Sequence, residues 1–269
     1  HDPMTLVFEL KRLWAYRHYV ISAIVSEFKA RFANSILGGA WMILSPLAMV
    51  AIYTLVLSVI LAAKLPGIEH AYAYPVYLVS GILAWTVFTD VLTRMTQVFV
   101  EFGNVLKKMA VPKFAVLCIV MGSAYMNALI LWLVTVGLMT ALGVELTIWV
   151  LAVPLFLLVT TALAGALGAL AALIHVFARD VGHILPVVLQ LAFWMTPIVY
   201  TREMVPASFQ WIVDHHPLVP MVQLFQDSVA YGVAPNVTVF ALYGLVSLLL
   251  WLGFWVLYRR AISEVMDAL

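Results

Sequence analysis

Side chains able to do chemistry are sparse in this chain of 269 residues, and their spacing suits catalysis poorly. Asp90 and Arg94 stand four residues apart and so share one helix face. They read either as an ion pair in a conduction path or as a snorkelling pair at a membrane boundary. His215 and His216 are adjacent; on a helix they diverge by about 100° and cannot grip one ion as an i, i+4 pair does, so no metal site is assigned. Cys118 sits alone inside an apolar run, which excludes a disulfide framework and reads as an inert buried thiol. No G-x-x-x-x-G-K-[ST] phosphate loop occurs, so the chain cannot hydrolyse nucleotide by that route. Ser, His and carboxylate positions assemble no nucleophile with its base, which makes an intramembrane enzyme the least favoured class. The sequon Asn236-Val237-Thr238 is too short a match to carry weight.

The elements that must position these residues follow from where charge is absent. Charge-free runs extend from Phe32 to Ala63, His70 to Thr89, Phe114 to Val144, Leu146 to Ala178, Val181 to Thr201 and Ser228 to Tyr258. Each is long enough for the roughly 20 helical residues that cross a ~30 Å hydrocarbon layer. Lipid cannot hydrogen-bond the backbone, and barrel strands are shorter and alternate, so the runs predict six transmembrane helices in an all-α integral membrane protein. Composition agrees: 65% hydrophobic and 10% charged residues stand far from the globular averages of about 45–50% and about 25%, excluding a soluble domain.

The net charge of +1 says little as a total, but its distribution says much. With the N-terminus cytoplasmic, Lys11, Arg12, Arg17, Lys29, Arg31, Arg94, Lys107, Lys108, Lys113, Arg179, Arg259 and Arg260 all fall on the inner side, leaving Lys64 and Arg202 outside. That asymmetry satisfies the positive-inside rule and predicts cytoplasmic termini. His1 to Pro3 read as a tag remnant, with no cleavable signal peptide after them. Residues 4–33 mix Leu6, Leu10, Leu13, Ile24 and Phe28 with basic residues at helical spacing, predicting an amphipathic interface helix on the inner leaflet. It reads either as a partner-facing support or as a lipid anchor. Residues 34–258 are the six-helix domain and 259–269 a cytoplasmic tail.

Within that domain, Gly38, Gly39 and Pro46 mark the first span for close approach or a kink. Gly165, Gly168, Ala169 and Ala172 form a small-residue stripe for packing in the fourth, which His175 and Arg179 close. The loop 101–113, EFGNVLKKMAVPK, fits either a short docking helix or an ordinary topogenic loop. Between the last two spans, 202–235 is interrupted by Pro206, Asp214, Pro217, Pro220 and Asp227. Two short amphipathic pieces, about Pro206 to Asp214 and Leu218 to Tyr231, would form a re-entrant outer gate or a pair of interfacial capping helices.

Three segments then suggest a family: FANSILGGAWMILSPLAMVAIYTLVLS from Phe32, YAYPVYLVSGILAW from Tyr72, and FARDVGHILPVVLQLAFWMTPIVYTREMVP from Phe177. Together they resemble the permease subunits of ABC exporters for lipid-linked polysaccharides, closest to O-antigen export permeases, with capsule and teichoic-acid permeases as relatives. The resemblance implies a homodimer of permeases in the bacterial inner membrane, joined to two copies of an ATPase subunit. ATP and Mg would bind that partner, leaving no cofactor in this chain, and the polymer would pass between the two permeases. Membrane lipids are implied partners; nucleic acid is not.

By the same resemblance, 101–113 is a coupling helix, with Asn104, Leu106, Lys107, Lys108 and Pro112 facing the ATPase. The family often has an aromatic residue where Val111 stands. Residues 202–231 resemble periplasmic gate helices, bringing in Pro197, Pro206, His216 and Pro217; His216-Pro217 replaces a frequent Asn-Pro. Sugar rings stack on aromatic faces, so Tyr53, Trp85, Phe88, Phe193, Trp194 and Tyr200, on spans resembling the channel-lining ones, are the expected substrate contacts. The alternative is a secondary transporter or channel without an ATPase, which would call for mid-depth ionisable residues or matched broken helices. Mid-depth charge is nearly absent here.

Overall fold

The computed structural model describes residues 6–30, 38–41, 44, 47–48, 51–52, 73–103, 113–141 and 143–268. Nine α-helices lie among them: α1 Leu6–Ala15, α2 Arg17–Ala30, α3 Ala73–Glu101, α4 Lys113–Ala141, α5 Val153–His175, α6 Val181–Met195, α7 Gln210–His215, α8 Val219–Val229 and α9 Val237–Ala268. Four apolar helical stretches, Ala73–Glu101, Phe114–Ala141, Ile148–His175 and Val237–Val265, are long enough to cross a bilayer. The chain is thus a polytopic helical membrane protein.

Helix α3 is the centre of the bundle, packed by α4, α5, α6 and α8. Its Leu78, Val91, Met95 and Phe99 are fully enclosed. The small residues of α5 make this possible, because without a hydrophobic force between helices in lipid, association depends on close packing. A Cβ on Gly168 would stand 2.6 Å from Met95 Cβ and 2.8 Å from the Leu92 carbonyl oxygen, so only glycine fits. Gly165 likewise lies under Met121, and Ala164, Ala169 and Ala172 are fully buried. Helix α9 covers the other side of α5, where Trp251 Nε1 donates to the Ala162 carbonyl at 2.9 Å. Its remaining surface shows Leu242, Leu245, Leu248, Leu249 and Leu252 outward, as a lipid-facing helix should. Asn236 starts α9: its Oδ1 accepts from the Thr238 and Val239 amides, an N-cap role that accounts for the sequon residue.

Along the expected interface helix, α1 and α2 follow one another across the single residue Tyr16, and the Tyr16 and Val20 amides donate to the Arg12 and Tyr16 carbonyls at 3.0 Å through the junction. One expectation changes. The fifth run, Val181 to Thr201, is helical only to Met195. Fifteen residues rise about 22 Å, short of a ~30 Å hydrocarbon layer. The expected first span and the coupling loop fall largely outside the described residues.

Candidate functional site

The bundle has two unlike ends. One carries α2, the C-terminal ends of α3, α5 and α9, and the starts of α4 and α6; the other carries α7 and α8.

At the first end, α2 lies across α4, pressing Ile24 into the notch left by Gly122, where a Cβ would come within 2.5 Å of Ile24 Cδ1. One turn further along α2, Glu27 accepts from the Arg94 guanidinium, which also donates to Ser123 Oγ at 3.0 Å. The Arg94 and Glu27 side chains are only 18% and 25% exposed. The Asp90–Arg94 spacing had pointed to a pair within one helix. In the structure Arg94 reaches two other helices, stitching α2, α3 and α4 together just before the 101–113 loop. Nothing in the local sequence marks Glu27, which lies 67 residues from its partner.

At the other end, the backbone leaves helical geometry after Met195 and turns back as Thr196–Tyr200, with Thr196, Ile198 and Val199 buried. Irregular backbone at membrane depth is tolerated only where protein satisfies it. Here Tyr74 OH donates to the Val199 carbonyl at 2.6 Å, and Tyr77 OH lies within 2.9 Å of the Pro197 and 3.1 Å of the Tyr200 carbonyl. Gln226 Nε2, from α8, donates to the Pro197 carbonyl at 3.0 Å. Gly81 makes room for that amide: a Cβ there would lie 2.8 Å from Gln226 Nε2. A broken helix end is therefore held by two tyrosines at i and i+3 on α3 and one glutamine on α8. Sequence reasoning passed over all three; the only signal was a lone Gln in the apolar face of α8.

Outside this buried knot, the Arg202 guanidinium forks onto Asp214, Nε to Oδ1 at 2.5 Å and Nη2 to Oδ2 at 2.7 Å, tying the segment after Tyr200 to α7. Those hydrogen bonds hold Asp214 below its ordinary 3.8 and raise Arg202 in turn. His216 Nδ1 accepts weakly from the Leu218 amide at 3.4 Å and lies 3.4 Å from Thr196 Oγ1. Burial lowers its pKa from 6.5. Tyr243 OH, from α9, donates to the Pro217 carbonyl. Burial pushes the Asp227 carboxyl up.

The expected residues divide accordingly. Pro197, His216 and Pro217 come together in this cap, while Pro206 lies at its outer edge, its carbonyl accepting from the Phe209 amide at 2.8 Å. The two predicted short helices are α7 and α8, the second buried through Val222, Leu224 and Phe225. Trp85, Phe88 and Phe193 are buried in this single chain; the Trp85 and Phe193 rings meet edge to face at 5.7 Å. Trp194 is exposed, and Tyr200 OH donates to its carbonyl at 2.7 Å. With Ile184, Val187, Val188 and Leu191, Trp194 belongs to an exposed stripe along α6. Tyr53, Asn104, Leu106, Lys107, Lys108 and Pro112 lie outside the described residues.

A closely packed helical centre, a helix that ends in a buried turn and unlike caps at the two ends define a polytopic membrane protein whose described polar groups hold helices and turns together. The sequence matches the ABC-2 type transporter family over residues 19–230, and the chain belongs to that family. It is 24% identical over 210 residues to an O-antigen export system permease protein RfbA of Klebsiella pneumoniae, covering 75% of this chain and 76% of the relative. A protein of the same name from Myxococcus xanthus is 27% identical over 195 residues, covering 71% of each.

Proposed function

We propose that this chain is the transmembrane half of an ATP-driven exporter that moves a lipid-linked polysaccharide, of O-antigen or capsule type, from cytosol to periplasm through a channel between two copies. The observation that carries this reading is the family match over most of the chain, joined to relatives named for O-antigen export over about three quarters of their length. Two copies of a separate ATPase subunit bind ATP and Mg and act on the 101–113 loop; the permease performs no bond chemistry. The α2 end faces the cytosol with both chain termini, in the bacterial inner membrane, and the α7–α8 end is the periplasmic gate, its two short helices re-entering the outer leaflet.

The geometry supports a division of labour in that scheme. Glu27, Arg94 and Ser123 make α2, α3 and α4 move together, so displacement of the intervening loop reaches the bundle as a rigid-body shift. At the gate, the 196–200 turn sits against α3 through hydrogen bonds that a shift of α3 would break or carry with it. The α6 stripe, with Trp194 as its ring platform, faces the channel, Trp85, Phe88, Phe193 and Tyr200 back or extend it, and Tyr53 is a further expected substrate contact. The test is genetic and chemical: cells lacking this chain should accumulate lipid-linked glycan on the inner leaflet and display none outside, and the intact gene should restore display. Normal surface glycan in the deletion strain would sink the proposal.

A further inference from the structure

Between the last turns of α5 and α9, at the end that carries α2, an open groove of about 480 Å³ is walled by apolar side chains, among them Leu173, Ile174, Phe177 and Leu257. Its other lining residues include Arg260 and Glu264, one helical turn apart on α9. Both are exposed, and neither is taken up by a salt bridge with a described residue. An acidic residue four positions after a basic one is the weaker order for an intrahelical pair, which leaves both groups open to a third party. The apolar span of α5 ends at His175 and the charge-free run of α9 at Tyr258, so the groove lies where acyl chains give way to headgroups.

We propose that this groove binds a phospholipid with a phosphoethanolamine headgroup: acyl chain along Leu173, Ile174, Phe177 and Leu257, phosphate on Arg260, primary ammonium on Glu264. The charge pattern selects that occupant. A guanidinium fork matches phosphate oxygens. The carboxylate beside it repels a purely anionic headgroup, and a primary ammonium can donate hydrogen bonds to it where a quaternary ammonium cannot. The site is separate from the α6 stripe and from the gate, and it stands whichever polymer the chain carries.

The test is native mass spectrometry of the full chain, delipidated in detergent and titrated separately with phosphatidylethanolamine, phosphatidylcholine and phosphatidylglycerol of one acyl composition. One phosphatidylethanolamine should bind per chain about tenfold more tightly than either of the others. Glu264→Gln should abolish that ranking, Arg260→Gln should weaken all three lipids alike, and Leu257→Trp should weaken all three by obstructing the groove. Equal binding of the three lipids by the unaltered chain would overturn the proposal, as would phosphatidylglycerol ranking first. So would a cross-link from Leu257→Cys to a second copy in native membranes, since a protein would then fill the groove. The ranking on the unaltered chain decides the matter even if a variant folds poorly.

Discussion

Glu27 and Arg94 give the sharpest test of how the first end of the bundle is built. Exposed ion pairs contribute about 0.2–1 kcal/mol, and breaking a fully buried pair costs about 3–5 kcal/mol. At 18% and 25% exposure this pair lies between those limits, nearer the buried one. Arg94 also donates to Ser123 Oγ, so its removal strands two acceptors at once. Arg94→Ala should therefore destabilise the bundle by about 2–3 kcal/mol, and Glu27→Ala, which leaves Arg94 its Ser123 partner, by about 1–2 kcal/mol. The double variant should fall short of the sum by about 1–1.5 kcal/mol, the coupling a double-mutant cycle isolates. Hydrogen exchange localises the loss: amides of α2 should exchange roughly tenfold faster in either single variant, because about 1.4 kcal/mol of local stability is a factor of ten. Additive effects with unchanged exchange in residues 17–30 would refute the idea that this pair fastens α2 to the bundle.

Other consequences are as direct. Tyr77→Phe removes a hydroxyl placed between two buried carbonyls, Pro197 and Tyr200, and should cost about 1–3 kcal/mol, read as a lower unfolding midpoint and faster exchange around residues 196–201. Gly168→Ala must push α3 from α5, because the obstructing Leu92 oxygen is backbone; a loss of at least about 1–3 kcal/mol is expected in a steric trap or thermal assay, whereas Gly244→Ala, whose Cβ meets nothing within 4 Å, should be nearly silent. His216 has a folded pKa below 6.5, so the unfolded chain binds its proton first. Its contribution is complete above pH 6.5 and is lost as pH falls from there toward the folded value. Asp227, raised by burial, works in the opposite sense on acidification. The clean readout is therefore the difference between the unaltered chain and His216→Gln across pH 5 to 8: the variant should lack the acid-side decline, and parallel curves would contradict the assignment.

Much of this architecture was legible in the sequence because the bilayer enforces it. Charge-free runs located α3, α4, α5 and α9, although α3 and α9 continue about ten residues past their runs through charged turns to Glu101 and Ala268, and the glycines and alanines of α5 announced the packing that Met95 and Leu92 complete. Proline spacing located α7 and α8. Hydropathy could not show where the run from Val181 to Thr201 stops being helical, because the break at Thr196 is stabilised by Tyr74, Tyr77 and Gln226. Tyr74 and Tyr77 stand more than a hundred residues earlier, and their hydroxyls look like ordinary interfacial tyrosines. Glu27 was hidden for the same reason: helical spacing pairs Arg94 with Asp90, and only the docking of α2 over Gly122 brings in the other carboxylate. Aromatic type was also a poor guide to orientation, since Trp85 and Phe88 turn into the core while Trp194, next to Phe193, turns out.

The central claim is that this chain works with a separate ATPase through the loop between α3 and α4. Purifying the full chain from its native membrane in mild detergent, with and without residues 101–113 replaced by a neutral linker of equal length, tests it most directly. The account predicts a phosphate-loop ATPase at one copy per permease with the natural loop, and its loss from a still dimeric, folded permease with the linker. A permease dimer that carries no ATPase, or an ATPase that stays bound to the linker variant, would contradict it.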